Sequence, residues 1–493
     1  MSRRTATGLA CVLCLLVVVS TSAAAPVGSD SAVRDTSASE PAVQAGTITQ
    51  TFAVSLTPDH PGETEVVMTF ELPSDVSELT TRLPNRATVR ETTGFESTDD
   101  GYRSTTDRPS IRYTLPANET TRQGYRYVDV GSWAIVPTPQ AAFSYQYRGS
   151  EPSVETSYEI AGSGVAGRSM LFLGDYALRE RTVGDSQFRL VVPTAAAPRA
   201  PPARILDTLA TAADRLDIGT AEGRHVVIAA PTGNVTWGVA GSTRGQRDFW
   251  VRANQPVDAA SNVWIHEYVH TRQQTETTSG MRWSIEGSAD YYAALETLRQ
   301  ERITFEAFRR QLDRGTRYDD AVLATPDRWE SRSVPYAKGS LVAGEIDRQI
   351  RLASDGTATL ATALDGIDGE LSRSAFYDAV ETAGNATVRA NAERLIETES
   401  APRPWSRERH RRAFDGTAVT ATPTPTSTPT MTAPATETTV AGTPTATTTG
   451  TMAAKTPTVT ATRTGQTTHS DQPGFGPLVV GVALGVVLVD RQK

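Results

Sequence analysis

A chain of 493 residues is long enough for two or three domains, each with its own core, so a single small module is excluded as the whole protein. Its formal net charge of -8 supplies no basic field for nucleic acid, and the arginine-rich stretch 407–412 is too short to change that; it reads as a solvated domain end. Both cysteines, Cys11 and Cys14, lie inside the apolar run of residues 8–19.

That run follows Arg3 and Arg4 and passes into Thr21-Ser-Ala-Ala-Ala25, the layout of a secretory signal peptide over residues 1–25, with a retained membrane anchor as the alternative. Cleavage would leave a mature chain without cysteine, which excludes disulfides and thiolate ligands and assigns any metal to His, Asp or Glu. Residues 26–46 are small and polar with no apolar period, a flexible leader. Then Ile48, Gln50, Phe52, Val54 and Leu56 alternate with smaller or polar residues, the period of a half-buried strand. Val66, Met68 and Phe70 repeat it, as do Ile111, Tyr113 and Leu115, and Phe188, Leu190 and Val192, with turn residues between. Such a series predicts an N-terminal antiparallel β-sandwich over residues 47–195.

After the linker Ala197-Pro-Arg-Ala-Pro-Pro202 the period becomes helical through Ile205, Leu206, Leu209 and Leu216. Strands at 225–230 and 249–251 precede a nearly all-helical stretch to about residue 400, so residues 196–400 are expected to form an α+β domain with a helical C-terminal part. Residues 401–472 are assigned to a linker and a Thr/Pro-rich, disordered stalk of the composition that carries O-linked sugars. At the end, Pro473-Gly-Phe475 precedes an apolar segment, 477–489, and Arg491 and Lys493. This tail, 473–493, resembles the C-terminal sorting signal of archaeal surface proteins, which implies removal by an archaeosortase and attachment to a lipid anchor. The alternative is a plain anchor helix, for which 13 residues fall short of the roughly 20 that span a bilayer. Either way the expected place is the cell surface, attached to a membrane at the C-terminus. Three sequons, at Asn118, Asn234 and Asn385, fit an exported chain.

Chemistry concentrates in Asn262-Val-Trp-Ile-His266-Glu267-Tyr-Val-His270, a stretch without Gly or Pro that Asp258 or Ser261 would cap as a helix. His266 and His270, four apart, project from one face and can share a single Zn²⁺, while Glu267 is turned only about 100° away, in reach of a water on the open position. The alternative is two histidines satisfied by hydrogen bonds. A catalytic zinc needs a third protein ligand, and Trp283-Ser-Ile-Glu286-Gly-Ser-Ala-Asp290-Tyr-Tyr292 on a following helix offers Glu286, with 15 residues between it and His270 for a turn and a return. Asp290, one helical turn on, would accept a hydrogen bond from the far nitrogen of a ligand histidine. Glu276 and Asp290 are the alternative third ligands.

These pieces, with Ser333-Val-Pro-Tyr336-Ala-Lys338-Gly-Ser340, resemble the gluzincin metallopeptidases, and within them the aminopeptidase N-like and glycyl aminopeptidase-like families, over residues 225–395. The resemblance implies a gluzincin-type catalytic domain behind a β-rich domain, and a tyrosine, Tyr336, that stabilises the oxyanion. Aminopeptidases of that family carry a Gly-x-Met-Glu-Asn segment whose Glu captures the substrate amine, whereas Trp237-Gly-Val-Ala-Gly241-Ser-Thr-Arg-Gly has no acid. The expectation is therefore a zinc metallopeptidase acting on a peptide or protein. Two alternatives are a surface binding or adhesion protein on a peptidase-like scaffold and a zinc hydrolase of a non-peptide substrate.

Overall fold

A computed structural model describes residues 46–415, except 220–222 and 274. The expected signal peptide, nearly all of the leader, the stalk from Gly416 onward and the C-terminal tail lie outside the described residues. No described helix is long and apolar enough to cross a membrane.

The alternating residues of the N-terminal part build strands as their period requires. Thr47–Leu56, Glu63–Glu71 and Ser110–Pro116 are neighbours in a five-stranded sheet, with Ile48, Phe52, Val66, Met68, Phe70 and Ile111 nearly all fully buried. Its pairings are antiparallel except at one edge, where Ser153–Ile160 runs parallel to Thr47–Leu56. A four-stranded sheet containing Val76–Arg82 and a five-stranded sheet containing Met170–Leu173 and Ala134–Pro137 share that core through Leu79, Tyr145, Val136 and Leu171.

A fourth, mixed sheet carries the rest of the molecule. Its order is Tyr176–Val183, Ser186–Pro193, Gly223–Ala230, Asp248–Arg252, Gly241–Arg244. Ser186–Pro193, expected with the sandwich, instead pairs parallel with Gly223–Ala230, and the helix Pro202–Arg215 makes the crossover that a parallel pair requires. Period two marks a strand but says nothing of which sheet receives it. One face of this sheet, with Phe188, Leu190, Val227, Phe249 and Val251, packs on the helices. The other, with Val226, Ile228 and Trp250, packs on Trp133, Phe172 and Trp237 and so joins the sheet to the preceding strands.

The helical part runs from Val263–Arg272 through Trp283–Arg299, Phe305–Asp313 and Val334–Ala353 to Arg373–Ala383 and Ala386–Glu397. The first of these is capped by Asn262, whose Oδ1 accepts from Trp264 N at 3.1 Å and Ile265 N at 3.4 Å, and not by Asp258 or Ser261. Residues 401–415 also depart from expectation: they are not linker. Arg407–Phe414 is a helix that buries His410 and Ala413, and His410 lies among Phe305, Phe308, Trp405 and Phe414 with ring centroids 4.4–6.4 Å away. The arginines that suggest a solvated end occupy its outer face, while Trp405, His410 and Phe414 lie against the fold.

Candidate metal centre

The helix Val263–Arg272 is buried along its whole length, between the mixed sheet and the helix Trp283–Arg299. A helix without a polar face carries polar side chains only where a partner meets them. His266 is 5% exposed, Glu267 2% and His270 8%. The helix Trp283–Arg299 returns alongside and delivers Glu286 from its first turn. Nε2 of His266 and Nε2 of His270 lie 3.0 Å apart, and Oε2 of Glu286 lies 3.4 Å from the former and 3.2 Å from the latter. These three residues form a metal-compatible group among the described residues.

The outer nitrogens are held differently. Nδ1 of His266 is 2.8 Å from Oδ1 of Asp290, and Nδ1 of His270 is 2.7 Å from Oε1 of Gln273. With Nδ1 turned to these partners, each Nε2, the atom a metal would take in a neutral ring, faces the cluster. Gln273 is itself fixed, since its Nε2 donates to Ile285 O and Ser288 Oγ, each at 2.8 Å. Two imidazole lone pairs and a carboxylate at this spacing repel one another unless positive charge lies between them. Burial pulls both imidazoles down, yet the carboxylates outweigh it: Asp290 and Glu286 hold His266 well above its usual range, and Glu286 raises His270. Burial likewise works to raise Glu286, but His270 and His266 bring it below the ordinary carboxylate range. The carboxylates thus favour positive charge at this cluster, as protons on the imidazoles or as a bound cation. A tetrahedral zinc with bonds of about 2.0–2.1 Å sets its ligand atoms about 3.3–3.4 Å apart, close to the triangle found here.

Glu267 projects beside this triangle, and burial raises its pKa against the opposing influence of both imidazoles. Its Oε2 is 2.8 Å from Thr243 Oγ1, on the edge strand Gly241–Arg244. Tyr336 stands in the first turn of Val334–Ala353, where Pro335 is suited to a helix start. Its ring lies 6.2 Å from that of His266, its hydroxyl bonds to Glu286, and burial followed by the charge of Glu286 raises its pKa well above the usual phenol range. Lys338, two residues on, points elsewhere: Nζ donates to the carbonyls of Asp319 and Ala321, and burial lowers its pKa to about 8.

The structure therefore brings His266, Glu267, His270, Glu286, Asp290 and Tyr336 together. It does not bring Glu276, which is exposed on a loop strapped by its own carbonyl to Leu371 N at 2.7 Å. Asp290 faces Nδ1 of His266, the side away from the triangle. Sequence reasoning misses Gln273, although a polar residue three beyond His270 is a local signal for it. It also misses the contacts of Gly241 and Thr243 with Glu267, since segment 237–245 is singled out only for lacking an acid.

No family model matches the chain, and no curated protein matches it. Solved structures do. An M1 zinc metallopeptidase from Deinococcus radiodurans is 15% identical, with 73% of this chain and 96% of that one covered at a TM-score of 0.44. An aminopeptidase N family protein from Idiomarina loihiensis is 14% identical, with 71% and 72% covered at 0.44. Legionella pneumophila aminopeptidase A, in complex with aspartic acid, is 13% identical, with 72% and 49% covered at 0.40. Each is a likeness only, and the chemistry of this chain rests on its own residues.

Proposed function

We propose that this protein is a zinc-dependent metallopeptidase of the cell surface that hydrolyses peptide bonds. The observation that carries the reading is the meeting of His266 Nε2, His270 Nε2 and Glu286 Oε2 at 3.0–3.4 Å, with Glu267 and Tyr336 against the same cluster. His266, His270 and Glu286 would hold Zn²⁺, which when bound acidifies a water and polarises a carbonyl. Glu267, buried and raised, accepts the proton of the attacking water as its oxygen bonds to the scissile carbon, and returns that proton to the leaving amine as the C–N bond breaks. Tyr336 donates its phenolic hydrogen to the oxyanion that forms between these steps. Asp290 and Gln273 keep both Nε2 atoms facing the centre through each turnover.

The absence of an acid in residues 237–245 supports the broader term metallopeptidase over aminopeptidase, since a free α-amine finds no countercharge there. The surface location rests on the signal-like leader, the Thr/Pro-rich stalk and the sorting-like tail. The three sequon asparagines are exposed, as modification of an exported chain requires.

The test is hydrolysis of a peptide library by the full chain with added zinc. Cleavage that a chelator abolishes, and that Glu267→Gln reduces by at least about 10²-fold while zinc is retained, is the expected outcome. Zinc binding without turnover would point to a binding scaffold, and cleavage unchanged in Glu267→Gln would remove the assigned base.

A further inference from the structure

Gly241–Arg244 is the outermost strand of the mixed sheet, paired to Asp248–Arg252 on one side. Strand alternation puts Gly241 and Thr243 on the same face, and both meet Glu267. Thr243, 5% exposed, has its hydroxyl 2.8 Å from Oε2 of Glu267 and 2.8 Å from the carbonyl oxygen of the same residue. A hydroxyl has one proton to donate, and the charged carboxylate is the stronger acceptor, so the proton goes to Oε2. Oε1, the other oxygen, is not the one that Thr243 holds. It lies instead in a niche opened by Gly241, where an added Cβ would stand 2.6 Å from it. Gly241 is not among the glycines with positive φ, so space and not backbone freedom is what glycine provides there.

We propose that Thr243 and Gly241 are positioning residues for the general base. Thr243 ties down Oε2, Gly241 keeps Oε1 clear, and Oε1 is therefore the atom that takes the proton from water and hands it to the amine. A flexible carboxylate on a helix becomes a one-sided base because the neighbouring strand selects its rotamer and differentiates its oxygens. The inference rests on the peptidase reading of Glu267 for its catalytic consequence, and on the two contacts for its structural content.

The experiment compares the zinc-loaded full chain with Thr243→Val, which keeps the shape and removes the hydroxyl, Thr243→Ser, which restores it, and Gly241→Ala. For Thr243→Val, kcat on a cleaved peptide is expected to fall roughly 10–100-fold with KM and zinc affinity, by chelator competition, within about twofold. Thr243→Ser is expected to recover to within about threefold of the parent, and Gly241→Ala to fall at least as far as the valine variant. A crystal structure of Thr243→Val is expected to show the Glu267 carboxylate rotated from its place. A valine variant that turns over at the parent rate, or a serine variant as slow as valine, would overturn the proposal. If the parent cleaves no peptide, the peptidase reading fails by itself. The crystal structure then decides the positioning roles, for which an unmoved carboxylate is the refuting result.

Discussion

His266 and His270 are the same side chain one helical turn apart, yet their supports differ in charge. Asp290 meets His266 with a carboxylate, whereas Gln273 offers His270 a neutral amide. Hydrogen bonds to an ionised partner are about twice as strong as neutral ones, and the charge also makes the imidazole a better donor to a metal. Asp290→Ala is therefore expected to lower zinc affinity about 10–100-fold, and Gln273→Ala by less. Competition against a chelator of known affinity measures both, and equal losses would show that orientation alone matters. The arrangement also explains why Asp290 is unsuited to be the third ligand: bound to Nδ1, it sits on the far side of the ring from the triangle.

At the scale of elements, the site depends on how closely the helices Trp283–Arg299 and Val334–Ala353 cross. Gly287 and Gly339 meet at that crossing, where a Cβ on Gly287 would lie 2.7 Å from Gly339 C and 2.9 Å from its Cα. Glu286 precedes one glycine and Tyr336 stands a turn before the other, so the backbone contact is what lets the phenol reach the carboxylate. Gly344 repeats the device one turn further, with Tyr291 against it, and Tyr291 donates to Asp347 at 2.6 Å. In an exposed helix Gly→Ala would stabilise by up to about 1 kcal/mol. At Gly287 the neighbour is backbone and cannot move aside, and overpacking of a tight contact costs about 1–3 kcal/mol. The clash wins. Gly287→Ala is expected to lower the urea midpoint at unchanged m-value, and to lower kcat as Tyr336 is pushed from the cluster.

For the whole molecule, two buried histidines outside the metal-ligand set tie stability to pH. His225 stacks on Phe188 at 5.1 Å in the main core, and burial lowers its pKa to about 4, against the opposing hydrogen bond to Arg247 O at 3.1 Å. His410 accepts from Trp405 Nε1 at 3.2 Å in the C-terminal aromatic cluster and is likewise lowered by burial to about 4. The folded state holds both neutral, while the unfolded chain protonates them near 6.5. Their contribution is thus full above about pH 6.5, shrinks as the pH falls, and is lost by about pH 4. For His225 the loss is about 3 kcal/mol. The thermal midpoint is expected to drop across this window, and to drop less in His225→Leu, which removes one of the two protons; parallel curves for parent and variant would refute the assignment.

What the sequence by itself determined is what short-range periodicity encodes. Four-residue spacing puts two imidazoles on one helix face, and a 15-residue return puts Glu286 and Asp290 on a second helix. Period two identifies the strands at 47–56, 63–71 and 110–116. Other features depend on residues far apart in the chain. Gly241–Arg244 has no apolar alternation to announce it, yet it is the strand that meets Glu267. The transfer of Ser186–Pro193 to the mixed sheet depends on its parallel partner 37 positions later, as Ser186 pairs with Gly223. The helix Arg407–Phe414 looks solvated until Phe305 and Phe308, about a hundred residues earlier, supply the apolar surface for His410. Local spacing can nominate ligands; only the packing of separate elements decides which atoms converge, which oxygen of the base is left free, and where the helices may touch.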